Sequence, residues 1–263
     1  ARKDYSMANN TKPGSGYLGL AYTFAIEKDD EKTILNLKGH LSSEFRLARK
    51  DILLDPYFAG LEETSGWREL WKTDWYTQLE EAESEIEFYV RSGKTKQAQE
   101  VLSSIEYLYG ERSEMFYLKA LVDASNNKNE RALKHLRESL KGEQAFKVWE
   151  LYIEQLRLSS EYLAAADACA DALKSYPDET ELILKRSEYL RLAGDYEAAL
   201  KVADQYLELY PEDEEAIRQA ALTATDNGQY NKALRLFNMN IENYPGKARC
   251  YTERGDLYLR IKL

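Results

Sequence analysis

The sequence has few of the residues that most catalytic and metal sites use. It contains two cysteines, Cys169 and Cys250, and two histidines, His40 and His135, which lie far apart along the chain. Two cysteines are too few for a disulfide framework, and neither histidine stands at a zinc-ligand spacing from them. We therefore expect no metal and no cofactor, while the redox compartment stays open.

Glycine and proline are also scarce, with 13 and 5 among 263 residues. Leu, Ala, Glu, Lys and Tyr are abundant instead, which is typical of stacked helices. No apolar run approaches the roughly 18 to 20 residues of a membrane-spanning helix, and the first four residues carry no hydrophobic signal core. We expect an all-α protein that does not insert directly into a membrane.

The chain has fewer positively charged residues than negatively charged ones. The 36 Lys and Arg residues are outnumbered by 46 Asp and Glu, which gives a formal net charge of −10 and a pI of about 5.0. A field of this sign repels phosphate backbones and anionic headgroups. We therefore expect no nucleic-acid partner.

A repeat of 34 residues is the strongest pattern in the chain. The pairs Tyr176-Pro177, Tyr210-Pro211 and Tyr244-Pro245 are each 34 residues apart. A second marker, a small residue followed by x-Tyr-x-x-Ala, returns on the same period and ends at Ala165, Ala199 and Ala233; Ala132 and Ala98 extend it backwards. Five units are thus predicted between about residues 79 and 245.

At these residues the chain resembles the tetratricopeptide-repeat (TPR) family, whose unit carries Trp, Leu-Gly, Tyr, Ala, Phe and Pro at set places in two antiparallel helices. The match is partial in every unit, and Trp149, Phe237, Gly255, Tyr89 and Tyr258 are among the residues that fall on family positions. The resemblance covers about residues 79–263. It implies a right-handed α-solenoid of antiparallel helix pairs, a TPR superhelix that presents a binding surface.

Small and helix-breaking residues stand where such a repeat needs them. Facing helices pack closely only where side chains are small, which predicts contacts at Ala165, Ala199 and Ala233 and, on the first helices, at Ser187, Ala221 and Gly255. Gly194 and Gly228 are expected to end first helices, as is Gly93, and the prolines to stop second helices. Together these signals predict about 75 to 85% helix and no sheet.

The two ends of the chain differ from the repeats. Residues 1–16 are predicted to be a flexible lead-in, and residues 17–78 a diverged N-terminal helical repeat or cap with helices over 17–27, 30–37 and 41–54. Residues 79–263 are then five units plus the first helix of a sixth, which ends at Leu263. We expect this array to continue in the native protein, with a terminal capping helix as the alternative.

The segment Leu53–Leu61 is similar to one that closes degenerate units in bacterial repeat proteins. A bacterial source, and a periplasmic or envelope location, fit this similarity and the missing initiator Met. Cytoplasmic residence fits the unpaired cysteines. The compartment is left between these two.

Candidate catalytic groups have simpler explanations. Glu80–Glu87 is interpreted as a solvated helix face, and Glu212–Glu215 as charge that complements a helix N-terminus. His135 is interpreted as a surface residue beside Lys134, and His40 as part of a turn, neither with a Ser, Cys or Asp partner at a recognisable spacing. We expect no enzyme.

The resemblance implies that a partner lies along the concave groove lined by the first helices. A carboxylate clamp is disfavoured, because Glu150, Glu154 and Glu188 stand where it needs Lys or Asn. An acidic groove with a few apolar residues favours a protein or peptide segment with basic and apolar side chains. The candidate groove residues are Glu83, Glu87, Tyr117, Leu121, Lys147, Glu150, Glu154, Arg157, Leu184, Glu188, Arg191, Arg218 and Leu222.

The function expected from these observations is a non-catalytic scaffold for protein–protein interaction within a larger assembly. One alternative is a regulatory module that senses a peptide. Another is the interaction domain of a longer protein whose catalytic part lies outside this segment. The oligomeric state and the identity of the partner are left open.

Overall fold

A computed structural model describes residues 1–142 and 145–262, so that the predicted end of the half repeat, Leu263, lies outside the described residues. Helices make up 74% of the described chain, just below the predicted range, and this part contains no strand. The chain divides into two compact units, residues 1–110 and 111–263. The all-α class and the stacked helix pairs are confirmed.

The first unit contains seven α-helices among its residues, all of which are described. They are α1 (Arg2–Thr11), α2 (Tyr17–Ile26), α3 (Asp30–Leu41), α4 (Arg49–Leu53), α5 (Ser65–Leu70), α6 (Gln78–Arg91) and α7 (Thr95–Tyr109), with a 3-10 helix at Ala59–Leu61 between α4 and α5. The pairs α2–α3 and α6–α7 pack closely. The core includes Leu37, Ile52, Phe58 and Trp67, all buried. The repeat predicted first, α6 and α7, therefore belongs to this unit.

The second unit is a regular succession of helix pairs. Its described helices are α8 (Ser113–Ser125), α9 (Asn129–Ser139), α10 (Phe146–Leu158), α11 (Tyr162–Ser175), α12 (Glu181–Leu192), α13 (Tyr196–Leu209), α14 (Glu214–Asp226), α15 (Tyr230–Asn243) and α16 (Ala248–Arg260). Each packs against the next from α8 to α16. The second helices α11, α13 and α15 end directly before a Tyr-Pro pair, as predicted.

Six helix pairs of the described chain share one turn geometry. The second residue after each first helix is left-handed, with φ between 57° and 86°, at Lys28, Gly93, Asn127, Ser160, Gly194 and Gly228. In each turn the next N–H bonds to the carbonyl five residues back, as in Asp195 N–H to Leu190 O at 2.9 Å. The turns predicted at Gly93, Gly194 and Gly228 are confirmed. Because α2–α3 closes the same way at Lys28, residues 17–41 form a hairpin of the same kind.

The predicted small positions are where the helices touch. Ala165, Ala199, Ala233, Ser187 and Ala221 are all fully buried. Gly255 lies on α16, where a Cβ would meet no atom within 4 Å, and its predicted contact with a following second helix stays a prediction. In the described part of the chain, no second helix packs against the face of α16 that carries Gly255.

Two sequence predictions in the first unit need correction. Residues 2–11 form α1, which packs on α2, instead of an irregular lead-in. This packing requires glycine at two positions of the α1–α2 contact. A Cβ at Gly16 would lie 2.0 Å from the Tyr5 carbonyl oxygen, and a Cβ at Gly19 would lie 2.3 Å from the Tyr5 ring.

The predicted helix over residues 41–54 is also wrong, because α3 ends at Leu41 and only residues 49–53 are helical again. The intervening backbone is held by His40, whose Nε2 accepts the N–H of Leu47 at 3.0 Å. This bond turns the chain away from the helical path. His40 is therefore buried at the end of α3, 2% exposed, and is not a surface turn residue.

Candidate functional site

The first helices of the second unit form one layer of the stack. α8 packs against α10, and α12 packs against α14. Most of the predicted groove residues stand on these helices. Glu83 and Glu87 belong to α6 of the other unit, where both side chains are half-buried and have polar partners of their own. The site is therefore described on α8 to α16.

Ion pairs connect the first helices in the C-terminal half of this layer. Arg191 of α12 donates to Asp226 of α14 at 2.9 Å, and Arg260 of α16 donates to the same carboxylate at 2.8 Å. Arg218 of α14 likewise bonds Glu253 of α16 at 2.7 Å. We call this set the ion-pair ladder. Two predicted groove cations, Arg191 and Arg218, are thus in ion pairs with carboxylates of neighbouring first helices.

Asp226 stands at the centre of the ladder. Burial would raise its pKa, but the hydrogen bonds from Arg260 and Arg191 outweigh this and hold the pKa below its usual value. The carboxylate is therefore ionised at neutral pH and shared between the two guanidinium groups. The arrangement joins three consecutive first helices through one side chain.

The ladder stops between α10 and α12. Arg157 occupies in α10 the place that Arg191 occupies in α12, 34 residues later, but Leu192 stands where an acceptor like Asp226 would be needed. Arg157 instead makes two bonds to Glu154 of its own helix, at 2.6 and 2.7 Å. The backbones of α10 and α12 also make less contact than those of α12 and α14. This junction is held mainly through α11, which packs on both helices.

The surface at this junction has a surplus of negative charge. Two of its cations are in local ion pairs, Arg157 with Glu154 at 2.6 Å and Lys185 with Glu181 at 3.0 Å. Glu150 is exposed, and Glu188 of α12 is partly exposed. Neither Glu150 nor Glu188 is in an ion pair with a described residue. We name the surface formed by Glu150, Glu154, Arg157, Leu184 and Glu188 the α10–α12 face.

Apolar groups on and beside this face are only partly available. Leu184 is partly exposed. Tyr117 of α8, expected as an exposed anchor, is 6% exposed. The ammonium of Lys147 from α10 lies 4.9 Å from the centre of its ring. Leu121 is half-buried, and Leu222 packs against the core around Phe237. Leu184 is therefore the predicted apolar residue that the α10–α12 face presents.

Sequence reasoning missed a charged cluster at the α8–α9 turn. Asp123 is 7% exposed in its side chain, and His135 Nε2, Arg131 Nε and Lys128 Nζ lie 3.6, 3.4 and 3.8 Å from its carboxylate. The interpretation of His135 as a surface residue is wrong, since its side chain is only 21% exposed, and its Asp partner stands at a spacing that the sequence prediction did not recognise. The spacing of 12 residues between the partners crosses a helix hairpin and has no local sequence signal.

Burial lowers the pKa of His135, with Asp123 acting in the opposite direction. Burial raises the pKa of the Cys169 thiol to about 12, so Cys169 is a protonated core residue at neutral pH. Cys250 is also buried and free.

Among the described residues no group of three or more His, Cys, Asp or Glu side chains is placed to hold a metal ion. In the same part of the chain, every helix is too short or too polar to cross a membrane.

Comparisons with known proteins agree with this architecture. A family model described as a tetratricopeptide repeat matches residues 180–223, which contain α12, α13 and most of α14. No curated protein matches the chain by sequence.

Solved structures share the fold at low identity. A tetratricopeptide repeat protein from Parabacteroides merdae is 21% identical, with a TM-score of 0.59 over 70% of this chain and 74% of its own. The MamA protein is 13% identical, with a TM-score of 0.55 over 65% of this chain and 94% of its own. Likeness at these identities establishes the fold, and the chemistry of the site rests on the residues described above.

Proposed function

We propose that the chain is a non-catalytic scaffold that binds a partner protein through the α10–α12 face. Its fold is that of the tetratricopeptide-repeat structures it resembles, and a tetratricopeptide-repeat family model matches residues 180–223. The tetratricopeptide repeat is generally a fold of protein interaction rather than of catalysis. The observation that carries the proposal is the surplus of carboxylate beside Leu184. In this layer the ladder and the local pairs hold Arg157, Arg191 and Arg218 in ion pairs, while Glu150 and Glu188 are in none with a described residue.

The partner segment that fits this face carries basic side chains next to an apolar one. Lys or Arg of the partner opposite Glu150 and Glu188 would form ion pairs that no described residue of the chain forms. A leucine or aromatic residue would cover Leu184. Surface charge of this kind sets the encounter rate more than the lifetime of a complex, whereas a covered apolar group sets the lifetime.

Site-specific photo-crosslinking in an extract of the source cell tests the location. A photoreactive amino acid replaces Glu150 in one variant and Lys201 of α13, an exposed second-helix residue, in a matched control. The proposal expects one protein adduct at position 150 that is absent at position 201. Adducts at position 201 with none at position 150 would contradict it.

A regulatory sensor is the second candidate, and the uneven ladder favours it. Ion pairs hold α12, α14 and α16 together, while among the described residues none links α10 to α12. A segment bound between α10 and α12 therefore has a less constrained junction to move. Spin labels at the exposed Asp171 of α11 and Lys201 of α13 report the distance across this junction. A change on adding the captured partner segment supports the sensor, and an unchanged distance supports a rigid scaffold.

A further inference from the structure

Three leucines beside the α10–α11 and α12–α13 turns are exposed. Leu158 at the end of α10, Leu163 near the start of α11 and Leu192 at the end of α12 are 50%, 54% and 42% exposed. Later repeats place Asp226 and Arg260 where Leu158 and Leu192 stand. The apolar edge is thus specific to these repeats.

An open depression of about 510 Å³ lies at this edge. Leu163 and Ala164 of α11 and Ala193 of the α12–α13 turn supply its apolar lining, with the Tyr162 side chain beside them. Its volume accommodates a leucine or phenylalanine side chain together with part of its backbone.

Two carboxylates line the same depression, Glu161 and Asp167. Glu161 is in an ion pair with Arg137, whose guanidinium lies 3.7 Å from the Glu161 carboxylate. Asp167 is exposed and forms no ion pair with any residue that the structure describes. On the same helix Asp171, one turn further, is paired with Lys174 at 2.7 Å. The depression therefore combines an apolar lining with one uncompensated negative charge.

We propose that this turn-edge depression is a second docking point, separate from the α10–α12 face, that takes an apolar side chain flanked by Lys or Arg on a partner protein. Charge complementarity determines this choice of occupant. A basic group beside the apolar one meets Asp167, whereas an acidic segment would be repelled by Asp167. A second copy of the chain, with its net charge of −10, would also meet this repulsion.

A synthetic peptide with two central leucines between lysine triplets serves as the probe. Leucine methyl spectra of the intact chain report Leu163 and Leu184 as separate resonances, which distinguishes the two surfaces. We expect the peptide to shift Leu163, the leucine that lines the depression. A shift at Leu184 alone, or none at any leucine, would overturn the proposal.

Fluorescence anisotropy of the same peptide gives the affinity. Leu163→Ser is expected to raise Kd roughly tenfold, because an apolar anchor is lost. Asp167→Asn is expected to raise Kd less and to flatten its dependence on salt. Leu209→Ser changes a leucine that is 71% exposed at the end of α13 and is the matched control, as Asp171→Asn is for the charge. Unchanged melting temperatures establish that these exposed variants remain folded.

Three results would overturn the assignment. One is equal affinity for a peptide whose leucines are replaced by glycine. Another is equal affinity for a peptide whose lysines are replaced by glutamate. The third is a concentration-dependent dimer in sedimentation that Leu163→Ser dissociates, since this would identify a second copy as the occupant.

Discussion

The hydroxyl of Ser187 on α12 donates a hydrogen bond of 3.0 Å to the carbonyl oxygen of Ala199 on α13, and both side chains are fully buried. The bond joins the two helices of one repeat where the packing leaves room only for small side chains. It also satisfies a hydroxyl that would otherwise be buried without a partner. Ser187 and Ala199 therefore mark the register of the repeat frame.

Ala199→Glu tests that register. Because the Ala199 side chain is fully buried, glutamate would place an unpaired charge between α12 and α13. We expect a loss of about 3 to 5 kcal/mol in the free energy of unfolding, measured by denaturant titration. Lys201→Glu, two residues further on the exposed face of α13, is the control and should change little. An unchanged melting temperature for Ala199→Glu would show that the frame is out of register.

The shared left-handed turn predicts that Gly194→Ala and Ser160→Gly change the free energy of unfolding in opposite directions. Gly194 has φ +86°, where alanine is strained, so Gly194→Ala should lose about 1 kcal/mol in the free energy of unfolding. Ser160 has φ +58° in the equivalent turn, so Ser160→Gly should gain roughly 0.5 to 1 kcal/mol. Gly246→Ala, at a glycine without positive φ or close neighbours, should be near neutral. Equal effects at Gly194 and Gly246 would contradict the turn assignment.

Asp226→Asn tests the ion-pair ladder. The substitution keeps the shape but removes the charge that Arg191 and Arg260 share, and the side chain of Arg191 is only 18% exposed. We expect a loss of about 1 to 3 kcal/mol in the free energy of unfolding. Asp171→Asn removes an exposed pair with Lys174 and should lose less than about 0.5 kcal/mol. If the two variants lose the same stability, the ladder is only a surface feature.

The two histidines predict that the free energy of unfolding falls as the pH drops below about 7. Burial lowers the pKa of His40, whose Nε2 must stay unprotonated to accept the Leu47 N–H. The unfolded chain therefore binds protons first, so stability is complete above the unfolded pKa of about 6.5 and falls as pH drops towards the folded pKa.

His40→Gln should flatten this slope, which for one proton is at most about 1.4 kcal/mol per pH unit. The measurement is the free energy of unfolding at several pH values, with His135→Gln as the comparison because its pKa is also lowered by burial. A slope that survives unchanged in both variants and in the double variant would exclude the histidines as its source.

Much of the fold was predictable because the residues that define the repeat recur at fixed positions in the sequence. The Tyr-Pro pairs, the buried alanines and the glycine turns each occupy one position of a 34-residue unit, so period alone places them. The wrong predictions concern segments whose conformation depends on long-range contacts. α1 is held against α2 where Gly16 and Gly19 leave room for Tyr5, and the helix expected from Leu41 is interrupted by the His40–Leu47 bond.

The candidate site was less predictable from family positions alone. Those positions place Arg191 and Arg218 on the groove, but their partners Asp226 and Glu253 lie 35 residues further and are fixed only by stacking. Burial of Tyr117 likewise depends on the neighbouring helix that brings Lys147 over its ring. Position in a repeat predicts which helix layer a residue occupies, while pairing decides whether its charge is available to a partner.

Binding kinetics of the captured partner segment test the central claim most directly. Reversing Glu150, Glu154 and Glu188 to Lys should slow association, and wild-type binding should weaken as salt rises. Leu184→Ala should instead speed dissociation. Lys201→Glu and Glu208→Lys, on the exposed face of α13, should leave both rates unchanged. If these two α13 variants abolish binding while the four changes on the α10–α12 face leave both rates intact, the partner does not use that face.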